Sequence, residues 1–243
     1  MKKWLLGALF AMALPVYAAA DITVAVASNA QYVFGELAQH YTKKTGQVVK
    51  GSFNASGKFT TQIRNGAPYA VFMSADTHFP DVLAKDKLVL EAPKEYAHGQ
   101  LVLWSTQKFD VSNWRAALAK GGHKLAIANP DTAPYGRAAN QVLKGLGVEG
   151  KNQIVQGTNI GQTSQYIESG VVSAGFTAKS VVLAEGMKNR GKWVEIPANM
   201  YDPIAQSVVL LKPEGKGFYD FLTTTEAQNI MKKYGYGKPN VKK

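Results

Sequence analysis

Small and hydroxyl-bearing residues recur in this chain where a predicted strand passes into a predicted helix. Ser28-Asn29 and Ser56-Gly57 occupy two such junctions, and two further helices open with Ala133-Pro134-Tyr135-Gly136 and Thr158-Asn159-Ile160-Gly161. The first N–H groups of a helix lack an intrahelical partner, and the helix dipole makes that end positive. Four such ends around one crevice would bind an anion without any arginine or lysine.

The same residues have an ordinary structural interpretation. Taken singly, Ser28, Asn29, Ser56 and Asn159 are each more often helix N-caps than ligands. Only the coincidence of four junctions favours a binding site.

The hydrophobic pattern around the junctions predicts an α/β fold. The β-branched run Ile22–Val26 predicts a strand, and the apolar spacing over residues 31–44 predicts a helix that Gly46 ends. A second series of alternating strands and helices runs over residues 125–176. Such alternation is typical of mostly parallel sheets.

Two apolar runs about a hundred residues apart, 100–105 and 206–211, predict two crossover strands that form a hinge between two lobes. The predicted first lobe comprises residues 21–100 with 206–243. The predicted second lobe comprises residues 101–205.

Residues 1–20 have the pattern of a cleavable signal peptide. Lys2 and Lys3 form a positive start, an apolar stretch follows, and Ala18 to Ala20 supply small residues for cleavage after Ala18 or Ala20. This stretch is too short to span a bilayer. We therefore predict export to the periplasm.

The amino-acid composition excludes several further classes of function. The 243 residues carry a formal charge of +11 and no cysteine, which excludes disulfides, thiol nucleophiles and iron–sulfur clusters. Without Lys2 and Lys3, 26 basic residues stand against 17 acidic ones, a charge of +9. The basic residues are dispersed rather than set in an aromatic-basic stripe, so we predict no nucleic-acid partner.

Familiar catalytic and nucleotide-binding motifs are not supported. Residues 145–150 match G-x-G-x-x-G but close a predicted helix instead of opening one, and residues 51–58 resemble a Walker A loop whose hydroxyl position holds Phe59. No G-x-S-x-G elbow is present. The histidines lack metal-ligand spacing; they are His40, His78, His98 and His123. We predict a protein that is not an enzyme.

Several segments together carry a resemblance to a known family. They are residues 27–29, 51–59, 62–68, 72–76, 133–136 and 218–235. In these segments the chain resembles the periplasmic molybdate-binding proteins, the substrate-capturing components of ABC importers. The resemblance covers essentially the whole chain after residue 20.

The resemblance implies a two-lobed periplasmic-binding-protein (Venus flytrap) fold that closes on one tetrahedral oxyanion, molybdate or tungstate. By position, Ser28 and Ser56 would donate hydroxyl and backbone hydrogen bonds, and Asn29, Tyr135 and Ile160 would donate backbone N–H groups. It also implies a monomer without a cofactor or a directly bound metal cation. The implied partner is an ABC permease in the inner membrane.

One ligand position departs from the family pattern. A branch of the family has a tyrosine ligand where this chain has Ala178, and the phenol of Tyr135 is the candidate replacement. Sulfate, phosphonate and ferric iron stay open as alternative ligands, although the adjacent tyrosines typical of iron binders are missing. An exported hydrolase on a similar scaffold is the alternative from another class.

Overall fold

The computed structural model describes residues 21–239, so the predicted signal peptide lies outside the described residues. The strands are β1 (Ile22–Ala27), β2 (Val49–Asn54), β3 (Val71–Met73), β4 (Lys94–Gly99), β5 (Leu101–Ser105), β6 (Lys124–Ala128), β7 (Gln153–Gly157), β8 (Ala174–Ala178), β9 (Lys192–Glu195) and β10 (Ile204–Leu210). The α-helices are α1 (Gln31–Thr45), α2 (Ser56–Arg64), α3 (His78–Lys85), α4 (Trp114–Lys120), α5 (Pro134–Gly145), α6 (Ile160–Glu168), α7 (Lys179–Val182), α8 (Lys216–Phe221) and α9 (Thr225–Lys233). A single 3-10 turn, Ser28–Ala30, joins β1 to α1.

The strands form two five-stranded sheets, one in each lobe. The first has the order β2-β1-β3-β10-β4 and the second β7-β6-β8-β5-β9. This arrangement confirms the predicted two-lobed α/β fold. The sheets are mixed rather than mostly parallel, because β5 and β10 run antiparallel to each of their neighbours.

Those two antiparallel strands are the predicted crossover strands, and each lies within one sheet. The chain passes from the first sheet to the second at Gln100, between β4 and β5, and returns through residues 196–203. Strands β1–β4 and β10 thus belong to one lobe and β5–β9 to the other. The exact lobe boundaries stay a prediction, and residues 240–243 lie outside the described residues.

The first lobe shows why the sequence folds this way locally. β1 is almost wholly apolar and buried, as expected for a strand covered on both faces. The apolar face of α1 packs on the sheet, and Gly46 ends the helix with a φ of 75°, a conformation that favours glycine. Aromatic residues of α1 and α8 interlock, with the rings of Phe34 and Phe218 5.9 Å apart.

The G-x-G-x-x-G match behaves as predicted, since α5 ends at Gly145 and a loop follows. The hydrophobic pattern did not predict five short elements, which are β4, β9, α3, α4 and α7. Among residues 21–239, no helix combines the length and the apolarity that crossing a membrane requires.

Candidate anion-binding site

A small pocket lies between the two lobes, where the ends of strands meet the beginnings of helices. Its wall is formed by Ala27, Ser28, Asn29, Asn54, Ala55, Ser56, Ala75, Ala133, Pro134, Tyr135 and Ile160. The volume open to the centre of a water molecule is about 10 Å³, far below that of pockets for drug-sized organic ligands. The pocket therefore suits one small group.

All five residues predicted to bind an anion line this pocket, from both lobes. Ser28, Asn29 and Ser56 come from the first lobe, and Tyr135 and Ile160 come from the second. The structure thus brings together residues that are up to 132 positions apart (28 to 160) in the sequence. Their role as ligands stays a prediction.

The two serines are not helix caps. Neither the 3-10 turn at Ser28 nor α2 at Ser56 has a side-chain cap hydrogen bond, whereas Asn159 accepts the N–H of Gln162 and does cap α6. The ordinary interpretation is therefore right for Asn159 and wrong for the serines. Sequence type alone could not separate these cases, because a cap and a ligand use the same residues at the same place.

The Ser56 hydroxyl is oriented for donation. Ser56 is fully buried, and its Oγ accepts the N–H of Ala75 at 3.0 Å. One lone pair is thereby occupied, while the hydroxyl proton has no acceptor among the described residues. Ser28 is also buried, and its hydroxyl forms no hydrogen bond within the described part of the chain. Both hydroxyls can donate into the pocket.

Backbone amides supply further donors. Ser56 and Ile160 are the first residues of α2 and α6, and Tyr135 is the second residue of α5. Their N–H groups have no backbone acceptor within residues 21–239. The amide next to Ser56 is already used, since the N–H of Gly57 donates to the carbonyl of Thr132 at 3.0 Å. The free N–H groups of Ser56, Tyr135 and Ile160 therefore lie at the positive ends of three helices that border the pocket.

The side chain of Asn29 is engaged away from the pocket, which leaves only its backbone N–H as a candidate donor. Its Nδ2 donates to Gln206 Oε1 and to the hydroxyl of Tyr236, each at 3.0 Å. Its carbonyl accepts the hydroxyl of Ser180 at 2.6 Å. The N–H group is left for the pocket, as the resemblance implies.

The pocket wall carries no ionisable acid or base other than the Tyr135 phenol. Burial raises the pKa of Tyr135 well above its usual value, so the phenol keeps its proton and stays neutral. Among residues 21–239, no group of three or more His, Asp or Glu side chains could hold a metal ion. A site of neutral donors suits a group that only accepts hydrogen bonds, such as a fully deprotonated oxyanion.

An ion pair outside the pocket joins the two lobes. Asp76, in the loop between β3 and α3 of the first lobe, pairs with Arg137 of α5 in the second lobe. The carboxylate is held in place by the Ser74 hydroxyl at 3.1 Å and by the N–H of Phe79 at 3.2 Å. Sequence reasoning missed this pair, although the Ser-Ala-Asp segment was among the matched motifs. The lobes are thus in direct contact beside the pocket.

Comparison with known proteins agrees with this geometry. The model of a family described as bacterial extracellular solute-binding protein matches residues 22–237. The chain belongs to this family. Proteins of this family bind solutes for transport and are not enzymes, which confirms the prediction that the chain is not an enzyme.

Relatives of this solute-binding protein include two that are named for their ligand. The molybdate-binding protein ModA of Azotobacter vinelandii is 39% identical, over 90% of this chain and 90% of its own length. ModA of Rhodobacter capsulatus is 38% identical, over 93% of this chain and 91% of its own length. The solved structure of the periplasmic molybdate-binding protein of Azotobacter vinelandii superposes with a TM-score of 0.85 at 35% identity, over 90% of this chain and all of that one.

Proposed function

We propose that this chain captures molybdate between its lobes in the periplasm and delivers it to the permease of an ABC importer in the inner membrane. The observation that carries the proposal is the interlobe pocket of neutral hydrogen-bond donors at helix beginnings. The similarity to two molybdate-binding relatives supports the choice of ligand. Tungstate is a tetrahedral dianion that also only accepts hydrogen bonds, and it binds by the same contacts.

The free energy expected from the hydrogen bonds is consistent with tight binding of the anion. A hydrogen bond to a charged group contributes about 1.5–3 kcal/mol, so roughly six give about 9–18 kcal/mol. Association costs about 4–15 kcal/mol. Micromolar or tighter affinity, about −8 kcal/mol or beyond, is attainable without a formal counter-charge.

Export by the segment 1–20 places the mature chain in the periplasm, where it acts as a monomer without a cofactor. The surplus of basic residues draws anions toward the cleft. Ferric iron is disfavoured because carboxylate and imidazole ligands do not line the pocket. Sulfate and phosphonate remain the alternative ligands.

Titration calorimetry of residues 21–243 with molybdate, tungstate, sulfate and phosphate tests the proposal. We expect one-to-one binding of molybdate and tungstate at micromolar or lower Kd, and weaker binding of sulfate and phosphate. Phosphate carries a proton at neutral pH, and the backbone amides that begin α2, α5 and α6 can only donate hydrogen bonds, so the phosphate proton gains nothing from them. A protein that binds neither molybdate nor tungstate would contradict the proposal.

The Ser56→Ala substitution should raise the Kd for molybdate about tenfold or more, because it removes one hydrogen bond to a charged ligand. Calorimetry measures the change. Ser207→Ala is the matched control, since Ser207 is a buried serine of the same lobe whose hydroxyl donates to the carbonyl of Lys94 instead. An unchanged Kd in Ser56→Ala would remove Ser56 from the site.

The Asp76→Asn substitution should speed the release of molybdate about two- to fivefold, because a partly exposed ion pair contributes up to about 1 kcal/mol to the closed form. Stopped-flow mixing with excess tungstate, followed by tryptophan fluorescence, measures the release rate. Raising the ionic strength should speed release from the wild type and have less effect on the variant.

Asp86→Asn is the control for this prediction. Asp86 pairs with Arg64 at 2.6 Å, so the same two residue types meet within the first lobe and not across the cleft. Equal release rates for the two variants would show that the Asp76–Arg137 pair does not hold the lobes together.

A further inference from the structure

Gln206 is a buried amide in a largely apolar strand. It lies in β10, has no exposed surface, and stands where a register shift between Gln206 and Ser207 interrupts the pairing with β4. Such bulges re-aim side chains and are frequent next to functional sites. Burying an amide is costly unless its polar atoms are hydrogen-bonded, so its partners show what it does.

The amide oxygen is held by the first lobe. Gln206 Oε1 accepts the hydroxyl of Tyr96 at 2.8 Å and Nδ2 of Asn29 at 3.0 Å. Two donors on the oxygen fix the orientation of the amide, and the NH₂ group must therefore face the other way.

The amide nitrogen faces the second lobe. Gln206 Nε2 donates to the hydroxyl of Tyr135 at 3.2 Å. Gly99, the last residue of β4 before the chain crosses between lobes, leaves room for this contact. A Cβ atom at Gly99 would lie 2.1 Å from the Tyr135 hydroxyl oxygen and 2.6 Å from Gln206 Nε2.

One side chain thus joins two walls of the pocket. Asn29 lines it from the first lobe and Tyr135 lines it from the second. Since the Tyr135 oxygen accepts from Gln206, its own proton is turned away from Gln206, and no acceptor for that proton lies within residues 21–239. The bridge sets both the spacing of the walls and the direction of the phenol proton.

We propose that Gln206 is a positioning residue for the anion: by bridging Asn29 and Tyr135, it sets the closed spacing of the lobes and with it the preference for the larger oxyanion. This inference rests on the proposed function. Gln206 does not line the pocket and acts only through the two residues that it holds.

A double-mutant cycle tests the bridge. The Kd values for molybdate and sulfate are measured for the wild type, Gln206→Leu, Tyr135→Phe and the double variant. We expect each single substitution to raise the molybdate Kd about tenfold and the double to raise it no further than either single, because both break the same contact. The ratio of the sulfate Kd to the molybdate Kd should fall in Gln206→Leu.

Tyr96→Phe is the control, because it removes a hydrogen bond to Gln206 without breaking the link between lobes. It should lower the thermal midpoint of the ligand-free protein and leave the ratio of the two Kd values unchanged. Gln206→Met, a side chain of similar length, replaces Gln206→Leu if the latter does not fold.

Two results would overturn the inference alone. One is an unchanged molybdate Kd in Gln206→Leu with a lowered thermal midpoint, as a merely structural role would give. The other is a double variant in which the two effects multiply. A wild type that binds neither molybdate nor tungstate would instead overturn the proposed function, and this inference with it.

Discussion

Replacing Gly57 with leucine should raise the Kd for molybdate by at least about a hundredfold. Gly57 lies at the start of α2, and a Cβ atom there would stand 3.1 Å from the backbone Cα of Thr132 in the facing lobe and 2.9 Å from the ring of Phe79. The rest of a leucine side chain has no space between the lobes. The ligand would keep the donors of one lobe only, and losing about three bonds of 1.5 kcal/mol or more exceeds a hundredfold.

The fold itself should tolerate the change. Leucine favours a helix over glycine by up to about 1 kcal/mol, so α2 is not weakened. Gly35→Leu is the matched control, because Gly35 is also a helical glycine but has no atom within 4 Å of its Cβ position. Calorimetry measures the Kd of both variants for molybdate, and their thermal midpoints show whether both fold. If Gly57→Leu binds as tightly as Gly35→Leu, the lobes need not close to bind the anion.

Replacing Ile160 with proline should raise the Kd for molybdate about a hundredfold. Proline removes one backbone N–H and puts a carbon in its place, so water cannot supply the lost donor. The loss should therefore lie near 3 kcal/mol, the upper end for a hydrogen bond to a charged group. Calorimetry measures it directly.

The backbone around Ile160 accepts this substitution. Ile160 is the first residue of α6, a position that proline favours, and Asn159 before it is extended, with φ −158° and ψ 175°. Ile160→Val is the control, since it keeps the N–H group and costs about 0.5–1.5 kcal/mol of stability. A proline variant that binds as well as the valine variant would remove the Ile160 amide from the site.

Local patterns in the sequence were enough to predict most of the fold and the residues of the pocket wall. Strand–helix alternation and junction residues such as Ser56 depend on neighbours in the chain, which are visible in the sequence. Gln206 was missed because its partners are distant in the sequence: it bonds Asn29 and Tyr135 across 177 and 71 positions. A glutamine in a largely apolar run was the available signal, since a buried amide must find hydrogen-bond partners.

The sheets show the same limit. Apolar runs predicted the strands β5 and β10, but the direction of a strand depends on where the chain passes from one lobe to the other. Both strands therefore proved antiparallel to their neighbours. The Asp76–Arg137 pair was equally hidden, because neither residue has a local pattern that names its partner.

The proposed function requires that the interlobe pocket hold a molybdate ion. Crystals of residues 21–243 grown with molybdate, with diffraction recorded at the molybdenum absorption edge, test it most directly. We expect one anomalous peak among Ser28, Ser56, Tyr135 and Ile160, with anion oxygens about 2.7–3.2 Å from the amide nitrogens. An anomalous peak at another place, or none at saturating molybdate, would contradict it.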